Sequence, residues 1–188
     1  MVNGPPLAAP VRSQFQRPQS PDDEGSWPVA YLVTWRTYGT WLPGDPRGST
    51  IRRADQSEAR VEAHPLWEMS ARQRLKHAPV LLTASQRLVV ERTIEATAAH
   101  AGWSVIATSV RTNHVHVVLA AARAPGAVMN SLKSWATRRL REAGLLDEDT
   151  KPWERHGSTR YLWTQEQVDR AALYVMEAQD GERFERDE

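Results

Sequence analysis

His114-Val115-His116 sets two imidazoles two residues apart. In a strand the side-chain period is two, so both rings project from one face while Val115, Val117 and Leu119 project from the other into a core. Two neutral imidazoles a few ångströms apart can share a divalent cation, and one carboxylate or amide oxygen more leaves positions open for a substrate. The same spacing also suits two half-exposed histidines on a solvated strand face. Farther along, Tyr174 sits in Ala171-Ala-Leu-Tyr-Val-Met-Glu-Ala-Gln179. With Val168, Ala171, Ala172 and Val175 as the buried stripe of a helix, a step of about 100° per residue puts Tyr174 at one edge of it. Its hydroxyl is then either a structural group at the rim or a nucleophile that approaches the metal from the helix side.

The elements that must position these groups follow from the pattern around them. Val29 to Trp35 is a β-branched and aromatic run that predicts a strand buried on both faces. Tyr38 to Gly48 holds three Gly and two Pro, which is loop chemistry. Residues 49–82 are polar and mixed and predict only short helical pieces. Thr83 is an N-cap candidate for a helix closed by Gly102. Trp103–Val110 and His114–Ala120 predict two strands joined by a hairpin-sized turn at Arg111-Thr-Asn113. From Val128 to Ala143 a helix is expected to bury Val128, Leu132, Trp135, Ala136 and Leu140 and to present Lys133, Arg138, Arg139 and Arg141 outward. A short strand at Thr159–Trp163 leads to a last helix from about Thr164 to Ala178, with Thr164 and Gln167 as a capping box. The order predicts an α+β fold, an antiparallel sheet with helices packed on one face.

The 188 residues suit one domain. Half of the 12 prolines fall among Gln, Ser, Asp and Glu in residues 1–28, which are expected to form a disordered leader. The domain is expected over residues 29–180 and an acidic tail over 181–188. With no cysteine, disulfide scaffolds, thiolate zinc sites and cysteine nucleophiles are excluded. No apolar run approaches the roughly 20 residues that span a bilayer, and the N-terminus lacks a secretory signal, so the expectation is a soluble, cytoplasmic protein. The net charge of +1 hides an asymmetry, because acids outnumber arginines after Trp163 and in the leader, leaving the middle strongly basic. Only Lys76, Lys133 and Lys151 are lysines; the other basic residues are Arg, whose planar fork favours phosphate. Eight Trp add flat faces on which bases can stack.

Asn113-His-Val-His-Val-Val-Leu119, a basic helix, and then Tyr174 and a Gln on a C-terminal helix resemble the HUH single-tyrosine transposases, which include insertion-sequence enzymes and REP-associated tyrosine transposases. Thr34-Trp-Arg-Thr-Tyr-Gly-Thr-Trp-Leu-Pro-Gly-Asp-Pro-Arg-Gly48 resembles the opening motif of one branch of that family. The likeness runs from about Tyr31 to Gln179. It implies a ferredoxin-like sheet with helices on one side and the metal on the other, acting on single-stranded DNA with hairpin ends. His114 and His116 would be ligands of Mg²⁺ or Mn²⁺, and Tyr174 the nucleophile. In the family a Gln follows the Tyr by about four residues, one helical turn; here position 178 is Ala and the Gln is Gln179. Glu177 shares the Tyr174 face and is the chemically better ligand for a hard cation, so the third ligand stays open between the two.

The resemblance implies a transposase that cleaves single-stranded DNA and rejoins it through a 5′-phosphotyrosine. Arg111, Lys133, Arg138, Arg139 and Arg141 would track the phosphate backbone. Tyr38 and Trp41 would stack on unpaired bases, with Arg36 or Arg47 at base edges. The alternatives are a catalytically silent hairpin-DNA-binding protein and a metal-dependent hydrolase with water as nucleophile. Whether the chain acts as a monomer or as a homodimer, with Tyr174 serving a partner's histidine pair, is left open by the sequence.

Overall fold

The structure, a computed structural model, describes residues 28–52 and 58–177. The expected leader and the acidic tail, and Gln179 before that tail, lie outside the described residues, apart from Pro28 at the leader's end. Strand β1 (Ala30–Thr37) comes first, followed by a small antiparallel hairpin of β2 (Ser49–Arg52) and β3 (Glu58–Val61) and by helix α1 (Pro65–Gln73). Helix α2 (Ala84–Ala101), strands β4 (Ser104–Val110) and β5 (His114–Ala120), helix α3 (Pro125–Glu142), strand β6 (Trp153–Leu162) and helix α4 (Gln165–Glu177) complete the chain. The main sheet has the order β4-β5-β1-β6, and β1 pairs antiparallel with both β5 and β6. Setting aside the inserted hairpin and α1, the chain reads βαββαβ with a final helix, the ferredoxin-like arrangement.

Local chemistry accounts for most boundaries. Thr83 and Gln86 form a capping box at the start of α2, and Gly102 ends it in the left-handed region at φ +70°. Pro125, which needs no amide hydrogen, opens α3. At α4 Thr164 accepts from the Gln167 amide at 3.2 Å, while the Gln167 side chain reaches back to the Trp163 amide at 2.7 Å. In residues 49–82 the β2–β3 hairpin stands beside the expected short helix, because 4-residue strands carry too little alternation to register.

The period of two in β1 and β5 builds two different faces. Tyr31, Val33 and Trp35 with Val115, Val117 and Leu119 pack against Val90 and Ile94 of α2 and Val128, Leu132 and Leu140 of α3. Each fully buried side chain of this size contributes about 1.5–3 kcal/mol. Ala30, Leu32 and Val118 point the other way, under Val168, Ala171, Ala172 and Val175 of α4. The helices therefore do not all share one face: α2 and α3 cover one side of the sheet and α4 crosses the other.

Two residues of α3 exchange their expected places. Trp135 is 37% exposed, with the Arg138 and Arg139 guanidiniums 5.3 and 5.8 Å from its ring centre, whereas Lys133 is only 7% exposed. The buried stripe runs through Met129, Leu132, Lys133 and Ala136, so the lysine falls inside it and the tryptophan outside. Lys133 is tolerated there because β6 bulges. The β1–β6 register runs from Trp35↔Gly157 to Thr37↔Trp153, which sets Glu154, Arg155 and His156 against Arg36 alone. Lys133 Nζ donates to the carbonyls of Glu154 at 2.9 Å and His156 at 3.1 Å. Gly157 ends the bulge where a Cβ would collide with the Thr34 carbonyl and the Met129 sulfur.

Candidate active site

On the α4 side the sheet is covered only in part. Leu32 and Val118 lie under the helix, while Thr34, Arg36, His114 and His116, nearer the β4–β5 turn, are half-buried. Thr34 is the cross-strand partner of His116, and Arg36 that of His114, so the four side chains share one face. The two imidazoles stand edge to face with ring centres 4.8 Å apart.

Each ring is oriented through its Nδ1. His114 Nδ1 lies 2.7 Å from Asn113 Oδ1, an acceptor, so the proton is on Nδ1 and the lone pair on Nε2. His116 Nδ1 lies 2.7 Å from Thr34 Oγ1, and where that hydroxyl accepts, the lone pair is again on Nε2. Partners of this kind fix the tautomer of metal-binding histidines. Asn113 is itself anchored: its carbonyl accepts from the Thr37 amide at 2.9 Å and the Thr37 hydroxyl at 3.1 Å. Burial, with His114, Arg111 and Arg36 nearby, pushes His116 down to about 4, which keeps the imidazole neutral at physiological pH.

Helix α4 brings Tyr174 onto this pair. Its ring meets His116 edge to face at 5.7 Å between centres, from the rim of the Val168–Val175 stripe. Burial raises its pKa above the ordinary 10, so the phenol is protonated at neutral pH and needs activation to attack. Nucleophile candidate and candidate ligands thus come together from a helix and a strand far apart in sequence. The donor set suits a divalent cation as far as the described residues go: two imidazoles on one face, each held through its Nδ1. No third His, Cys, Asp or Glu joins them among the described residues, and Glu177 is exposed at the end of α4. Glu177 therefore does not complete a ligand set here, and Gln179 lies outside the described residues.

The remaining expected DNA contacts divide by face. Arg111, in the turn before β5, is close enough to act on His116. Lys133 is inside the fold and spent on the β6 bulge. Arg138 and Arg139 both pair with Glu142, at 2.8 and 2.6 Å, and Arg141 bonds the Glu148 carbonyl. All belong to α3, on the far side of the sheet from the histidines, so the expected basic track does not border them. A surface cleft of about 550 Å³ lined by Thr137, Arg138, Arg141 and Glu142 lies on that far side too.

The Tyr38–Gly48 loop is largely satisfied within itself. Arg47 clasps Asp45 through two bonds of 2.8 and 2.7 Å and also bonds the Thr40 carbonyl at 3.0 Å. Trp41 Nε1 donates to the Gly48 carbonyl at 2.7 Å, and its ring carries the guanidinium carbons of Arg36 and Arg47 at 3.5 and 4.2 Å. Ring surface expected to receive bases is thus already in contact with cations. The Tyr38 hydroxyl accepts from the Lys76 amide at 2.9 Å. Glu154, in the β6 bulge, accepts from the Gly39 amide at 2.8 Å and ties the loop to the sheet. Thr34, Asn113 and Glu154 were not singled out by sequence reasoning as site residues. Thr34 alone carried a signal, since the strand period sets it on the same face as Arg36.

No family model matches the chain, and neither does a curated protein. Among solved structures, a REP-associated tyrosine transposase bound to a REP hairpin is similar over 87% of this chain and 70% of its own, at 10% identity and a TM-score of 0.46. A provisionally named transposase of Deinococcus radiodurans R1 is similar over 84% of this chain and 96% of its own, at 12% identity and the same TM-score of 0.46.

Proposed function

We propose that this chain is a DNA strand transferase that cleaves single-stranded DNA bearing hairpin ends and rejoins it through a phosphotyrosine at Tyr174. The observation that carries the reading is the edge-to-face meeting of Tyr174 with His116, 5.7 Å between ring centres, beside a second oriented imidazole. Phosphodiester cleavage needs a nucleophile in line with the leaving group and charge neutralisation on the phosphate, and the protein's part is chiefly positioning. Tyr174 supplies the oxygen that attacks phosphorus, its proton passing to solvent or a neighbouring base. The new bond is Tyr174 Oη to phosphorus, the broken one is phosphorus to the 3′-oxygen, and the ester energy is kept for rejoining without ATP. His114 and His116 would hold Mg²⁺ or Mn²⁺, which when bound supplies positive charge at the scissile phosphate. Thr34 and Asn113 keep the rings turned with Nε2 outward, and Arg111 adds positive charge nearby. Whether Gln179 completes the ligand set is part of the proposal.

The test is incubation of the full chain with an end-labelled single-stranded hairpin oligonucleotide and Mn²⁺. A covalent protein–DNA adduct, lost in Tyr174→Phe, is expected. Cleavage without an adduct would point to water as nucleophile, and binding without cleavage to a silent DNA-binding protein; either result overturns the reading.

A further inference from the structure

Arg36 stands out among the cations of the site by how it is held. Its strand position is opposite His114, and the β1–β5 register aims it to the same face as both imidazoles. Its guanidinium lies 3.5 Å from the centre of the Trp41 ring. Stacking fixes the plane of the fork without using its N–H donors, which lie in that plane. Arg47 touches the same ring, but its donors are spent on Asp45 and the Thr40 carbonyl. Arg36 makes no hydrogen bond of this kind to a described residue, although Asp45 and Glu154 lie within electrostatic range. A half-buried guanidinium stacked on a tryptophan, its fork unspent, on the sheet face that carries both imidazoles, is arranged to receive a planar or tetrahedral oxyanion.

We infer that Arg36 is a phosphate-binding catalytic residue of this site, its fork closing on the non-bridging oxygens of the scissile phosphodiester, with Trp41 as the plate that holds it in plane. The assignment replaces the base-edge contact expected from the sequence and rests on the strand-transferase reading. Donors aimed at oxygens where charge builds during attack act most strongly in a site with little water. Burial lowers the Arg36 pKa to about 10, so it is still cationic at neutral pH. Trp41, with its indole N–H on the Gly48 carbonyl, cannot rotate away without losing that hydrogen bond.

The experiment uses the adduct assay at saturating DNA. Arg36→Gln is expected to lower the adduct rate by about 100-fold or more, equally on oligonucleotides that differ in the bases flanking the cleavage point. Arg36→Lys, which keeps the charge and loses the fork, should fall between, and both variants should unfold at the wild-type temperature. The decisive arm replaces the scissile linkage by a neutral methylphosphonate: the Arg36→Gln penalty should then shrink to within about threefold, because the charge it answers is gone. An unchanged rate in Arg36→Gln, a loss that tracks the flanking bases, or an equal penalty on the neutral linkage overturns the assignment. If Arg36→Gln unfolds, the same comparison is made with Arg36→Lys. Absence of an adduct from the wild-type chain overturns the strand-transferase reading and this inference together, whereas a wild-type adduct undiminished in Arg36→Gln overturns only the role of Arg36.

Discussion

Thr34 and His116 illustrate how little of a candidate site is visible in the histidine pair alone. The hydroxyl turns the ring through its Nδ1, and a valine of the same shape would keep the packing and lose the hold. Thr34→Val is therefore expected to lower Mn²⁺ affinity by about 10–100-fold while leaving thermal stability nearly unchanged. Titration followed by the paramagnetic signal of bound Mn²⁺ measures this directly. An affinity equal to wild type would show that the ring needs no such partner. The His-x-His pair was legible because alternation in a strand is a strong signal. The Thr34 contact was hidden because it joins residues 82 apart through a register no local pattern encodes.

At the scale of elements, the β6 bulge is where sequence and structure part most. A lysine in the middle of an amphipathic helix reads as exposed, and only the unpaired carbonyls of a neighbouring strand explain its burial. Helix α2, its cap and its terminal glycine, the β4–β5 hairpin and the core face of β5 were all readable, since each rests on local chemistry or period. The bulge, the Trp135–Lys133 exchange and the second covered face of the sheet depend on tertiary packing. The Lys133 ammonium, pushed by burial from 10.5 to about 8, makes this element sensitive to pH. Between about pH 8 and 10 the folded chain has released that proton while the unfolded chain retains it, so the unfolded state binds more protons and stability rises with pH. A neutral amine still has hydrogens to donate to both bulge carbonyls. Wild type should therefore gain stability relative to Lys133→Met as pH rises through this window, measured by urea unfolding at each pH. A constant difference would place the titration elsewhere.

For the whole molecule the governing fact is sidedness. The basic middle of the chain is not one surface: the α3 arginines and the imidazoles are on opposite sides of the sheet. Arg138 and Arg139 are exposed and share Glu142, an arrangement that salt screens and that contributes little to stability. Replacing both by Gln is expected to leave the adduct rate at saturating DNA within about twofold and to affect binding only at low salt. A large loss at saturation would mean that DNA wraps around the sheet to reach α3. No helix of the described residues is long and apolar enough to cross a membrane. The charge asymmetry read from the sequence is real, but charge totals carry no information on which side of a sheet each group stands.

One consequence follows from the side chains beneath α4. Its docking stripe is two alanines between two valines, small groups that let the helix lie close on Leu32 and Val118. The gap between Tyr174 and the imidazoles is thus gauged by methyl groups, with α4 acting as a spacer whose thickness is written at Ala171 and Ala172. A chain that kept both histidines and Tyr174 but carried bulkier residues at those two positions would move the Tyr174 ring away from His116.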